Sequence, residues 1–156
     1  MTRIEKFVTR PWHGSVGSCY ASPVEHRIRA ARPSDRPFIA KSLRGCLRET
    51  SVGRHADEPH MTAEVNALLD AWAAEGALSL VACDVEDEGV LLGFGVAQAP
   101  TLHALYVRRD FRHLGLGRSL LAELGYCSRY TLPPPRGARL LARMTYAPRL
   151  VLRGAA

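Results

Sequence analysis

Leu102-His-Ala-Leu-Tyr-Val-Arg-Arg-Asp-Phe-Arg-His-Leu-Gly-Leu-Gly-Arg-Ser-Leu-Leu121 is the stretch on which the reading of this chain turns. It begins as an apolar strand, Thr101 to Val107, passes through a charged loop, Arg108 to Gly115, and enters a helix whose Leu116, Leu120, Leu121 and Leu124 share one face. A helix N-terminus presents unpaired N–H groups and a partial positive charge. Glycines let the backbone curl around an anion with no Cβ in the way. Arg112, His113 and Arg118 add donors beside Gly115 and Gly117. The combination predicts a cradle for a pyrophosphate. Two familiar cradles are excluded: no lysine follows the glycines as a Walker loop requires, and no third glycine completes a dinucleotide fingerprint.

Outward from this stretch, strands and helices alternate in an order that the cradle can be set into. Val24, His26, Ile28 and Ala30 alternate with charged residues, predicting a half-buried strand over Val24–Ala31. Arg32-Pro33-Ser34-Asp35 stops it, and Ser34 or Asp35 is expected to accept from the open N–H groups of the next helix. Ile39, Leu43, Cys46 and Leu47 form one face of that helix. Residues 50–60 read as loop, with Thr62 capping a second helix of Val65, Leu68, Leu69 and Trp72 that ends at Gly76. Leu78–Val85 and Val90–Ala99 read as an antiparallel hairpin about Glu86-Asp87-Glu88-Gly89, and Pro100 breaks the second strand. After the glycine loop and its helix, which extends to Cys127, a Pro-rich turn at 133–135 leads to a strand at Ala138–Met144 and a tail with a short strand at Leu150–Leu152. The fold class is α+β, a mixed layer with a mostly antiparallel central sheet flanked by helices.

R-x-x-G-x-G, here Arg112 to Gly117, after a strand ending Leu105-Tyr106-Val107 and before a Leu-rich helix, resembles the acetyl-CoA motif of the GCN5-related N-acetyltransferases, the GNAT family. Ile28 to Asp35 is similar to the family's first strand and entry to its first helix, and Leu91 to Ala97 to its third strand. The resemblance covers roughly residues 24–144. It implies acetyl-CoA as co-substrate, with no metal, and transfer of the acetyl group to a primary amine of a small molecule or protein within a ternary complex. It implies that the backbone of Arg112, His113, Leu114, Gly115, Leu116 and Gly117, with Arg118 next, binds the pyrophosphate. It further implies that the backbone of Leu105, Tyr106 and Val107 holds the pantetheine arm.

Attack on the thioester needs a neutral amine, a base to take its proton, and an acid for the leaving thiolate. Family members often carry a glutamate where Thr101 stands here. His103, two residues on, has an ordinary pKa near 6.5 and is the candidate base. Tyr146 is the candidate acid, being the one phenol near the end of the Ala138–Met144 strand. The chain after Met144 is short for the family, and a homodimer partner or the N-terminal arm would have to supply the missing wall of the acceptor pocket. These departures keep a second reading open, a catalytically weak or inactive CoA-binding or structural module of the kind carried by phage and prophage genomes.

The 156 residues fit one domain over 24–156, preceded by a flexible basic arm, 1–23. No apolar run reaches the roughly 20 residues that span a bilayer, and no signal peptide opens the chain, so the expected location is cytoplasmic and apart from membranes. Cys19, Cys46, Cys83 and Cys127 are scattered, which argues for free thiols over a zinc knuckle or disulfide framework. Charge is segregated. Residues 55–107 hold nine carboxylates and no lysine or arginine, whereas 108–156 hold ten arginines and two carboxylates. The basic third suits a nucleotide phosphate. It lacks the interleaved aromatics and reader motifs of a nucleic-acid partner. The acidic middle, with Asp57, Glu58 and Glu86 to Glu88, suits a cationic acceptor or the chain's own basic part.

Overall fold

The computed structural model describes residues 25–50, 53–132 and 143–147. Strand β1 is His26–Ala30, followed by a 3-10 turn at Pro33–Asp35 and helix α1 at Arg36–Arg48. Helix α2 is Glu58–Ala74. Strands β2, Leu78–Asp84, β3, Leu91–Gln98, and β4, Thr101–Val107, follow. Helix α3 is Leu116–Leu124, and two-residue strands β5, Arg129–Tyr130, and β6, Thr145–Tyr146, complete the described chain. The six strands form one sheet in the order β1-β2-β3-β4-β5-β6. The first three pairings are antiparallel, and β4–β5 and β5–β6 are parallel. This is the α+β architecture expected from the strand and helix order.

Each face of the sheet carries its own core. Ile39, Leu43 and Leu47 of α1 and Met61, Val65 and Trp72 of α2 close over Val81, Phe94, Val96 and Ala104. On the other face Leu116, Leu120 and Leu124 of α3 pack against Leu80, Ala82, Leu92 and Leu102. The i, i+4, i+8 spacing in both α1 and α3 is what lets one helix seat three large side chains at about 1.5–3 kcal/mol each. Helix α3 packs close over Gly95, where a Cβ would lie 2.6 Å from Cδ1 at the far end of the Leu124 side chain.

Several local expectations change. Asp35 does not cap α1. Its carboxylate accepts from the Arg32 N–H at 2.7 Å and from both terminal nitrogens of Arg29, at 2.6 and 3.1 Å. Helix α2 starts four residues before Thr62, because Asp57 accepts from the His60 N–H at 2.9 Å and Pro59 fits the first turn. Helix α3 stops at Leu124, where Gly125 turns to φ 88°. Strand β5 lies in a stretch for which no strand was expected. The arm at 1–23, the turn at 133–135, most of the strand at 138–144 and that at 150–152 lie outside the described residues. No described helix is long and apolar enough to cross a membrane.

Candidate active site

Strand β4 positions everything around the site, and it is not regular. Its register runs Val96 with Ala104 and Ala97 with Leu102, so His103 has no opposite residue and forms a β-bulge. Leu102, Leu105 and Val107 therefore belong to the α3 side, while His103, Ala104 and Tyr106 face α1 and α2.

Beyond the bulge, β4 parts from its neighbour. β5 pairs with Thr101 and Leu102 only, and the last contact of the ladder is the Thr131 N–H to Leu102 O bond of 3.1 Å. From Ala104 to Val107 the outer edge of β4 has no strand partner among the described residues. The open edge of β4 beside the end of β5 is a slot lined by main-chain donors and acceptors of β4, suited to an extended amide-bearing arm. Leu105, Tyr106 and Val107 lie along that slot. The Val107 carbonyl is already taken by Arg112 Nε at 3.0 Å, which pulls the loop back onto the strand end.

The loop then turns through a 3-10 segment, Arg109–Phe111. His113 adopts φ 67° and Gly115 φ 90°. Left-handed backbone is costly for a side-chain-bearing residue and free for glycine. The helix bonds begin with Arg118 and Ser119 N–H to Gly115 O, at 3.0 and 3.1 Å. The Leu116 and Gly117 amides thus meet no backbone acceptor among the described residues and point out of the helix start. Leu116 is buried and anchors the turn, while Arg112, His113, Gly115 and Arg118 are exposed around it and Leu114 and Gly117 half-exposed. The six contiguous residues and Arg118 expected to form a phosphate cradle are thus gathered at one helix N-terminus.

The two candidate proton-transfer residues sit at the closed end of the slot. The registers align Leu102, Tyr130 and Tyr146 across three strands, which puts Tyr146 level with the residue before His103. Tyr146 is 43 % exposed and packs on Tyr130 with ring centroids 5.1 Å apart. His103 is 1 % exposed. Trp72 stacks on it at 5.2 Å, and Nδ1 lies 3.4 Å from the Thr131 hydroxyl. Trp72 and Thr131 were not singled out from sequence. The signal for Trp72 was its position on the apolar face of α2, and for Thr131 it was only the β-branched, aromatic character of Tyr130-Thr131.

The acidic middle is engaged internally. Glu58 bridges Arg44 and Arg48, Asp70 meets Arg36, and Glu88 meets Arg27 and Arg32. These pairs tie three of the nine carboxylates of residues 55–107, Glu58, Asp70 and Glu88, to the basic first third. The described thiols, Cys46, Cys83 and Cys127, are free, and burial pushes the Cys46 thiol up to about 11. Among the described residues no three histidine, cysteine or carboxylate side chains converge as a metal site would need.

The family described as acetyltransferase (GNAT) matches residues 37–124, from the first turn of α1 to the end of α3. Among solved structures, an acetyltransferase so named from Acinetobacter baylyi is 19 % identical and covers 68 % of this chain and 63 % of its own, with a TM-score of 0.50. A GNAT family acetyltransferase from Brucella melitensis in complex with acetyl-CoA is 22 % identical over 75 % of this chain and 82 % of its own, with a TM-score of 0.47. A further acetyltransferase, from Salmonella typhimurium with acetyl-CoA, is 24 % identical over 64 % of this chain and 61 % of its own, with a TM-score of 0.46. Against the first and third of these the chain spans less than two thirds of the other's length. No curated protein matches the chain.

Proposed function

We propose, on the premise that the chain belongs to the GNAT acetyltransferase family, that it transfers the acetyl group of acetyl-CoA to a primary amine by direct attack in a ternary complex. One observation carries the cofactor half of this reading: the β4–β5 slot ends at a helix N-terminus whose Leu116 and Gly117 amides are open. The pantetheine arm would lie along Leu105 to Val107. The pyrophosphate would take the amides from His113 to Gly117, with the Arg118 guanidinium at its flank.

In the transfer itself the neutral amine nitrogen attacks the thioester carbon, a C–N bond forms and the C–S bond breaks, and the amine gives up one proton while the leaving thiolate gains one. Tyr146 is the proposed donor to the thiolate, since its exposed phenol lies across β5 from the slot. His103 is the proposed acceptor of the amine proton. It is buried under Trp72, with Nδ1 3.4 Å from the equally buried Thr131 hydroxyl, so on this reading the proton would travel by way of that hydroxyl. Tyr146→Phe with unaltered turnover would remove the phenol from the mechanism. An unaltered pH–rate profile in His103→Gln would leave that imidazole a packing group.

The same burial favours a second reading, a CoA-binding module with little turnover. The first experiment is thermal unfolding with and without acetyl-CoA. Cofactor at 100 times its Kd adds about 2.7 kcal/mol, or roughly 5–11 °C for a chain of this size. A shift of that size followed by amine-dependent release of free CoA thiol supports transfer. A shift without thiol release across an amine panel supports the module, and no shift refutes both.

A further inference from the structure

A cavity of about 600 Å³ lies between the entry to α1 and the β2–β3 turn. Phe38 and Leu91 give it an apolar wall, and Arg29, Arg32, Arg108, Asp35 and Glu88 give it charge. It is not the acetyl-CoA cradle. Phe38 belongs to the core between the sheet and α1–α2, whereas Leu116 at the cradle belongs to the opposite core.

The hydrogen-bond ledger of this cavity is lopsided. Both carboxylates are occupied. Asp35 takes two bonds from Arg29 and one from the Arg32 main chain. Glu88 accepts from Arg27 at 2.7 Å on one oxygen and from Arg32 at 2.8 Å on the other. Guanidiniums are the reverse case, since each offers five N–H donors and no acceptor. The Arg32 side chain, 56 % exposed, spends one nitrogen on Glu88. Arg108 meets no carboxylate among the described residues. Its side chain reaches the Leu91 carbonyl, at 3.4 Å, and lies over the Phe111 ring with its guanidinium carbon 5.6 Å from the centroid. A cavity in the size range of metabolite sites, with two under-used guanidiniums on its wall and its carboxylates already neutralised, selects negative charge.

We propose that this cavity binds a small organic anion through a carboxylate or phosphate group held by Arg32 and by Arg108 at the start of the charged loop, at a site separate from the cradle amides of Arg112 to Gly117. Glu88 is the group such an anion competes with, because it already draws on Arg32.

The test is a titration of the full, isotope-labelled chain with inorganic phosphate and, separately, acetate, at constant ionic strength, followed by backbone amide shifts. Saturable shifts at Phe38, Gly89 and Val90 with either probe are expected, and the probe that saturates at lower concentration identifies the group. Shifts at Leu116 and Gly117 report the cradle and are read apart. Arg32→Ala and Arg108→Ala should each weaken the Phe38 and Gly89 response at least tenfold and leave the Leu116 response in place. Glu88→Gln should strengthen binding several-fold by freeing donors. Non-saturating shifts with both probes, wild-type affinity in either arginine variant, or weaker binding in a folded Glu88→Gln protein would each overturn the proposal.

Discussion

Gly93 tests the link between the sheet and the cofactor slot. A Cβ at this position would lie 2.5 Å from the Tyr106 carbonyl oxygen and 3.3 Å from Val107 Cα. A carbon–oxygen contact settles near 3.3 Å, so Gly93→Ala forces a displacement of about 0.8 Å. The obstructing atoms are main chain, and no rotamer change removes them. The strain must move β4, whose outer edge is unsupported by a strand from Ala104 onward. Overpacking of this kind costs about 1–3 kcal/mol, which for this chain length lowers the midpoint by about 2–12 °C. A displacement approaching 1 Å at a positioning strand also costs about 10–100-fold in turnover. Gly95→Ala is the control, since its Cβ meets the far end of the Leu124 side chain, which can rotate away. The assay is thermal unfolding of both variants, each with and without saturating acetyl-CoA. Gly93→Ala should lose both midpoint and cofactor-induced shift, and Gly95→Ala should keep the shift. A Gly93→Ala protein matching the wild type on both counts would refute the account of β4 as the cofactor's support.

Gly115→Ala should cost about 1–2 kcal/mol because φ is 90° there, and should lower acetyl-CoA affinity; Gly115→Asn, which tolerates that backbone better, should recover part of both, as read by calorimetric titration. Asp35→Asn strips Arg29 of a buried partner and should destabilise the fold by about 3 kcal/mol in denaturant titration. The Arg29 hydrogen bond also holds the Asp35 carboxyl below its ordinary range, so its contribution is full above the unfolded pKa near 3.9 and is lost as pH falls through the lower folded value. Cys46 gives the opposite edge. Its folded thiol sits at about 11 against 9.0 unperturbed, so stability should fall as pH rises from 9.0 through that value, and Cys46→Ala should flatten the decline.

The glycine loop and β4 were legible because they combine periodicity, two glycines and a change of residue character within twenty positions. The start of α2 is hidden in the sequence because Asp57-Glu58-Pro59 is as polar as a loop, although Asp57 as N-cap with Pro59 in the first turn is a helix-start pattern. β5 escaped because two residues carry no measurable alternation, and its pairing depends on a helix crossover that brings Arg129 back to Thr101. A regular strand would put His103 on the same face as Thr101, two residues before it. The bulge kept it on that face but added Ala104 beside it, and only the packing of α2 reveals that Trp72 covers the imidazole. The charge blocks were visible, but their use was not. Which carboxylate meets which arginine is decided by the antiparallel return of β2 along β1, which joins Arg27 to Glu88, and by the packing of α1 on α2, which joins Arg44 to Glu58.

The two-residue ladder between β4 and β5 also makes this fold a hinged one. A seam held by so few main-chain bonds is where a protein opens first, well below its global unfolding free energy. Amides of Tyr130 and Thr131 should therefore exchange with deuterium much faster than those of Val96 or Ala104 in the bonded interior of the sheet. A ligand lying in the slot would touch both leaves of the hinge at once. Its arrival should slow exchange at Tyr130 and Thr131, so that the protein fastens its own seam only while the cofactor is aboard.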